Sequence, residues 1–177
     1  MMQSSEAAST AILDAAAAVP PAGTSSVVTR MTFNAAPTEV WKGLMFYEEI
    51  GAPPPPLLRM LLPVPIRIEG RALAVGDEAR CLYEGGHLLK RLTRIEQGRY
   101  YGFDVAEQAL AVGRGIRLSG GGYTLRAMGV GRTELAVETR YSSPRRPRWL
   151  WQPVETAVCH AFHRFLLASM RRKIEGQ

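Results

Sequence analysis

The chain has 177 residues, 46% apolar and 21% charged, an ordinary balance for one domain with a substantial core. Its apolar runs fall well short of the roughly 20 residues that span a bilayer, and it opens without the basic start and apolar block of a secretory signal, so a cytoplasmic location is expected. The net charge of +6, with arginine well ahead of lysine, leaves nucleic acid, anionic lipid or an acidic ligand open until its distribution is considered.

Residues 1–25 are rich in Ala and Ser, contain Pro20-Pro21, and read as a flexible or accessory segment. A short helix over Thr10–Ala18 would carry a face made mostly of alanine. The folded domain is expected over 26–177. Val27–Phe33 reads as its first strand. Pro37 and Glu39 suit a first helical turn, and Val40, Trp41 and Leu44 follow at helical spacing. Pro53–Pro56 is a stiff break, after which Leu57–Leu62 can form a second short helix that Pro63 and Pro65 end.

From Ile66 to Tyr141 the chain has strand character, punctuated by turn signals. A two-residue turn at Gly85-Gly86 would set Glu84 opposite His87 and Leu82 opposite Leu89. A three-residue turn over Gln97–Arg99 would set Ile95 opposite Tyr101, Thr93 opposite Phe103 and Leu89 opposite Glu107. Alternation then gathers Leu82, Leu89, Ile95, Tyr101, Phe103 and Val105 on one face, together with Glu84, His87, Arg91, Thr93 and Glu107. A one-residue slip would exchange the faces. The Gly120-Gly121-Gly122 run marks a bulge or sharp bend within a strand. Beyond it Tyr123 and Leu125 share a face.

Pro144 and Pro147 close the sheet region, and Trp149 to about Ile174 reads as one long helix. Its expected apolar arc holds Trp151, Val154, Val158, Phe162, Phe165 and Leu166, with Glu155 inside it and Cys159 at its edge. Pro153 fits the first turn. On this helix His163 lies beside Cys159, while His160 points elsewhere. Cys81 and Cys159 are too few and too far apart for a disulfide framework and read as small buried hydrophobes. No second Cys/His cluster completes a set of four ligands, so no metal site is expected. No phosphate loop or dinucleotide fingerprint occurs, and no cofactor is indicated.

Strand, two helices, a run of antiparallel strands and a long final helix make an α+β order. It resembles the helix-grip fold of the START and polyketide cyclase/dehydrase superfamily. The proline followed by Val40-Trp41 and Leu44, Val75-Gly76-Asp77 followed by Ala79–Tyr83, Gly131-Arg132-Thr133 before a strand, and the Trp-rich helix with His160 and His163 carry the resemblance, over roughly residues 26–174. The resemblance implies a strongly curved antiparallel sheet of about six to seven strands wrapped on the long helix, with a cavity between them. Proteins of this superfamily share a fold better than an activity.

The expected function is binding or carrying a hydrophobic small molecule such as a lipid, polyketide or aromatic metabolite. From the sheet, the expected wall comprises Leu89, Arg91, Tyr101, Phe103, Glu107, Tyr123 and Leu125. From the helix it comprises Trp151, Glu155, Val158 and Phe162. A cyclase, aromatase or dehydratase would need an acid–base group in that cavity, and Glu107, Tyr123 and Glu155 are the candidates. Each also has a structural reading: Glu107 as a salt bridge or rim carboxylate, Tyr123 as core, Glu155 as a helix cap. A co-chaperone-like interaction module is the third possibility. The basic clusters Arg145, Arg146, Arg148 and Arg171, Arg172, Lys173 match no nucleic-acid motif, so nucleic acid is not expected. With Trp149, the first cluster could touch a membrane surface. Monomer and homodimer both remain open.

Overall fold

From Thr24 onward the chain alternates between faces. Val27, Thr29 and Phe33 are buried, while Ser26, Val28, Arg30 and Thr32 are exposed. This pattern makes strand β1, Thr24–Phe33. The computed structural model describes residues 23–45, 65–70, 73–110 and 115–176. Helix α1, Pro37–Met45, begins on the expected proline and buries Val40, Trp41 and Leu44. The Glu39 carboxylate accepts the Ala36 N–H at 3.0 Å, which fixes the first turn. The expected second short helix over Leu57–Leu62 lies outside the described residues.

The remaining strands are β2 (Pro65–Gly70), β3 (Glu78–Tyr83), β4 (Gly86–Glu96), β5 (Tyr100–Leu110), β6 (Arg117–Ala127) and β7 (Thr133–Ser142). All seven form one antiparallel sheet in the order β1-β7-β6-β5-β4-β3-β2. After α1 the chain crosses to the far edge and returns by consecutive hairpins until β7 pairs with β1. Helix α2, Arg148–Glu175, then lies against β1 and α1. This is the expected α+β helix-grip architecture. Among the described residues no helix is long and apolar enough to cross a membrane.

The main core fills the angle between β1, β6, β7 and the two helices. It holds Phe33, Val40, Trp41, Leu44, Leu125, Leu135, Val137, Leu166, Leu167 and Met170. Phe33, Leu135 and Leu167 are fully buried. Each large side chain buried in this way contributes roughly 1.5–3 kcal/mol. Helix α2 is turned relative to the expected arc. Glu155, His163, Leu166, Leu167, Ser169 and Met170 are buried, whereas Val154 is exposed and Val158, Phe162 and Phe165 are half-buried. The expectation failed because it gave the sheet-facing side to apolar residues alone. Glu155 and His163 occupy that side with polar partners of their own. Pro153 lies within the helix and removes the bond that residue would have donated to the Trp149 carbonyl.

The hairpin registers follow the sequence in part. In the first, Tyr83 is opposite Gly86 and Leu82 opposite His87, so the turn is Glu84-Gly85, one residue earlier than expected. A Cβ at Gly86 would sit 1.7 Å from the Ala109 carbonyl oxygen. The second glycine therefore serves the crowded strand and not the turn. In the second hairpin the three-residue turn holds: Ile95 is opposite Tyr101, and Leu89 opposite Glu107. Between these points the ladder shifts twice. Leu92 pairs with Phe103 and Arg94 with Gly102, leaving Thr93 as an extra residue in β4. Lys90 pairs with Val105 and Leu89 with Glu107, leaving Ala106 as an extra residue in β5. Each extra residue reverses the face assignment beyond it.

The glycine run behaves as expected. Ser119 is skipped in the pairing of β6 with β7, just before Gly120. A Cβ at Gly121 would lie 2.3 Å from the Glu138 carbonyl oxygen and 3.2 Å from the Phe103 ring, so glycine here lets the aromatic ring lie across the strand. The β5–β6 ladder ends at Asp104 opposite Gly120. Past it the Gln108 amide spans the gap, donating to the Ile116 carbonyl at 2.9 Å and accepting the Leu118 N–H at 2.8 Å. A cleft of about 660 Å³ opens there between Val105, Leu110, Ile116 and Leu118.

Gly121→Val should lower the urea-unfolding free energy by about 2–3 kcal/mol through this overlap. Ser119→Ala, at the exposed extra residue, should change it by less than about 0.5 kcal/mol.

Candidate functional site

The interior face of the sheet follows from the register. One row across it is Ile95, Tyr101, Tyr123 and Val137, and the next is Leu92, Phe103, Gly121 and Thr139. Four expected wall residues, Tyr101, Phe103, Tyr123 and Leu125, lie on this face. The Tyr101 ring is tilted against Tyr123 at 6.0 Å and against Phe103 at 6.4 Å between centroids. Leu125 is part of the main core, and Phe103 is buried. Tyr101 and Tyr123 are half-buried.

The structure adds three residues the sequence reading missed: Lys90, Tyr83 and Cys81. Lys90 shares the interior face with Leu88 and Leu92 because Thr93 resets the alternation of β4. Ala79 lies opposite Lys90, with Cys81 and Tyr83 further along β3. The Lys90 amine stands 4.5 Å from the centroid of the Phe103 ring, a cation–π contact. Burial opposes its charge, but at high pH the anionic forms of Cys81, Tyr83, Tyr123 and Tyr101 outweigh burial, and its pKa lies above the ordinary lysine value. Burial pushes the Tyr83 and Tyr101 hydroxyls up to about 12, against an opposing pull from Lys90, and raises Tyr123 for the same reason. At neutral pH this corner therefore holds an ammonium and protonated phenols, all of them donors. The signal in the sequence was Leu88-x-Lys90-x-Leu92, an apolar alternation that puts the lysine inward.

Leu89, Arg91 and Glu107 are on the outer face, contrary to expectation. The extra residues Thr93 and Ala106 reverse the alternation on both strands, so a correct pairing of Leu89 with Glu107 ends on the wrong side. Arg91 is paired with Glu78 at 2.7 Å and Glu107 with His87 at 2.9 Å. Both side chains are more than half exposed, at 58% and 52%. His87 thus takes Glu107 as its partner, where the expected turn had set it opposite Glu84.

Glu155 is buried but engaged. It accepts the Ser143 hydroxyl at 2.6 Å and an Arg148 guanidinium N–H at 2.9 Å. Arg148 also reaches the Ser25 hydroxyl at 3.4 Å. This group ties the start of α2 to the end of β7 and to β1. Trp151 is half-buried beneath the Arg145 guanidinium, 5.0 Å from the ring centroid. With Val158 and Phe162 it forms a half-buried stripe beside the buried stripe of α2. Trp149, Leu150 and Val154 are exposed, as is Arg146.

A second polar cluster joins α2 to the sheet. The Thr29 hydroxyl lies 2.7 Å from His160 Nδ1 and 2.9 Å from His163 Nδ1, and Thr139 Oγ1 lies 2.8 Å from His163 Nε2. His160, expected to point elsewhere, thus shares Thr29 with His163. Burial, with a smaller contribution from His160, lowers the His163 pKa to about 4. The neutral ring carries one proton, so it donates to one threonine and accepts from the other. Cys159 Sγ is 3.6 Å from His163 Nε2, and burial pushes its thiol up to about 11, which makes it a packed thiol and not a nucleophile. Among the described residues no His, Cys, Asp and Glu group is placed to hold a metal ion.

No family model matches the chain, and no curated protein matches it. Solved structures do. A START superfamily protein from Mycobacterium smegmatis superposes with a TM-score of 0.60 at 10% identity, over 85% of this chain and 97% of that one. The Zhui aromatase/cyclase from Streptomyces sp. R1128 gives 0.56 at 15%, over 85% and 96%. A norcoclaurine synthase mutant from Thalictrum flavum gives 0.57 at 11%, over 86% and 95%. The chain therefore has the helix-grip fold. Its seven-stranded open sheet and long final helix are shared with these solved structures, while the chemistry of the interior has to be read from its own residues.

A histidine with a depressed pKa stabilises the fold fully above its unfolded pKa near 6.5, and that stability is lost as pH falls toward 4. His163 should thus account for a loss of up to roughly 3 kcal/mol between pH 7 and pH 4. The gap in urea-unfolding free energy between wild type and His163→Gln should narrow across this range. A gap independent of pH would contradict the buried neutral ring.

Proposed function

We propose that this chain binds or carries a hydrophobic small molecule, such as a lipid, polyketide or aromatic metabolite, on the interior face of β3 to β6. The observation that carries this reading is the uneven filling of the interior. Around β1, β7 and the helices the side chains are close-packed, whereas Tyr83, Lys90, Tyr101 and Tyr123 are only half-buried on the same side of the sheet. Half-buried aromatic surface with a few polar groups is the usual composition of a small-molecule site. Tyr101, Phe103 and Tyr123 make the sheet wall in this reading, and Trp151, Val158 and Phe162 contribute from α2. Peripheral membrane contact, in a carrier that unloads at a bilayer, falls on Trp149, Leu150 and Val154 with Arg146 beside them.

A second reading, an acid–base enzyme of the cyclase or dehydratase kind, rests on Tyr123. Glu107 points outward and Glu155 is held by Arg148 and Ser143. Tyr123 alone of the three acid–base candidates combines an inward position with an available proton, and it would act as the donor.

Titration with the neutral fluorophore N-phenyl-1-naphthylamine tests the binding reading. Saturable enhancement, reversed by compounds extracted from the purified protein, is expected. Tyr101→Trp, which fills the space beside Tyr123, should weaken binding about tenfold while leaving the thermal midpoint within a few degrees. A probe that never saturates would count against an interior site.

A further inference from the structure

We propose that Lys90 seats the carboxylate of an otherwise apolar organic acid bound on the interior face, with the surrounding tyrosine hydroxyls as additional donors. This rests on the hydrophobic-ligand reading above and names the chemistry of that ligand.

Lys90 is a lysine in an unusual place. Long cationic side chains normally extend to water and leave only their stems on apolar surface. Here the register fixes Lys90 inward: Leu88 and Leu92 flank it on the same face, both buried, and Ala79 and Val105 lie opposite on the neighbouring strands. Its amine lies over Phe103, and its electrostatic neighbours are Cys81, Tyr83, Tyr101 and Tyr123. Among the described residues no carboxylate forms an ion pair with it. The nearby acids Glu78 and Glu107 take Arg91 and His87 on the outer face instead. The side chain is half-buried, and a cation held against apolar and aromatic surface without a counterion gains when a ligand brings the opposite charge.

The neighbours define the ligand further. A phenol whose pKa is raised stays protonated and donates, so the corner holds a cation and three hydroxyl donors. Carboxylate oxygens accept several such bonds at once. A neutral ketone or alcohol would leave the ammonium uncompensated, and a cationic ligand would be repelled. The cleft between β5 and β6 begins at Val105, the residue paired with Lys90.

Matched probes test the inference on the full chain. Decanoate and decanol share an aliphatic body, 2-naphthoate and 2-naphthol an aromatic one, and each is measured by displacement of N-phenyl-1-naphthylamine. At neutral pH at least one acid should bind about tenfold or more tightly than its alcohol, and the preferred body then tells an aliphatic from an aromatic acid. Lys90→Met should abolish that preference while keeping the affinity for the neutral probe, and Lys90→Arg should keep part of it. Tyr101→Phe, which removes a donor and leaves the ring, should weaken the acid severalfold and the alcohol little. That variant carries the test if Lys90→Met fails to fold. Acids and alcohols bound equally by wild type, or an acid preference that survives both Lys90→Met and Tyr101→Phe, would overturn the inference and leave the hydrophobic-ligand reading standing. Failure of every probe, including the neutral fluorophore, would remove both.

Discussion

Thr93 and Ala106 are the two residues on which the character of the interior depends. A strand shows its side chains to opposite faces in turn, so one extra residue exchanges inside and outside for everything beyond it. The two extra residues sit on adjacent strands, so the ladder that Thr93 displaces is restored by the time Leu89 meets Glu107. Between and beyond them, Lys90 and Leu88 turn inward, and Leu89, Arg91 and Glu107 turn outward. Without Thr93 the same strand would send Arg91 inside and Lys90 into water. The aromatic wall itself is independent of this shift, because Tyr101, Phe103 and Tyr123 are anchored by the three-residue turn and by Gly121. What the shift decides is which charge joins them.

The interior divides into a close-packed part that supplies stability and a half-buried part around Lys90. Phe33, Val40, Leu135, Leu167 and Met170 form a dense core where β1 and β7 meet the helices. Two buried polar groups of that region have partners: Glu155 has Arg148 and Ser143, and His163 has Thr29 and Thr139. Across the sheet, around Lys90, the donors have no such acceptors among the described residues. Stability drawn from one part of the interior leaves the other free to carry polar groups, which is a common relation between a scaffold and its site.

The order of elements was legible because each carried its own local signal. Pro37 and the Val40-Trp41-Leu44 spacing gave the first helix, the glycines gave the turns, and the Gly120–Gly122 run gave the bulge at Ser119. Tyr101, Phe103, Tyr123 and Leu125 followed from simple alternation counted from a secure turn. The errors have specific causes. Gly85 and Gly86 both suit a turn, and only the approach of the Ala109 carbonyl shows that the second belongs to the strand. Nothing in the side chains of Thr93 or Ala106 announces an extra residue, so Leu89, Arg91 and Glu107 were assigned inward by a count that was right at both ends and wrong between. The face of α2 was misjudged because Glu155 and His163 are polar. Their burial depends on partners more than a hundred residues away in the case of Thr29, and such pairs leave no local pattern.

The Gln108 clasp between β5 and β6 has a spectroscopic consequence. A backbone amide bonded within a ladder is shielded by it, and exchange with solvent deuterium requires the strands to separate. The Leu118 amide is bonded to a side chain, and a glutamine rotamer turns over far faster than a ladder opens. Its exchange rate therefore follows the conformation of one side chain. A molecule lodged in the neighbouring cleft would be registered at that amide without any strand having moved.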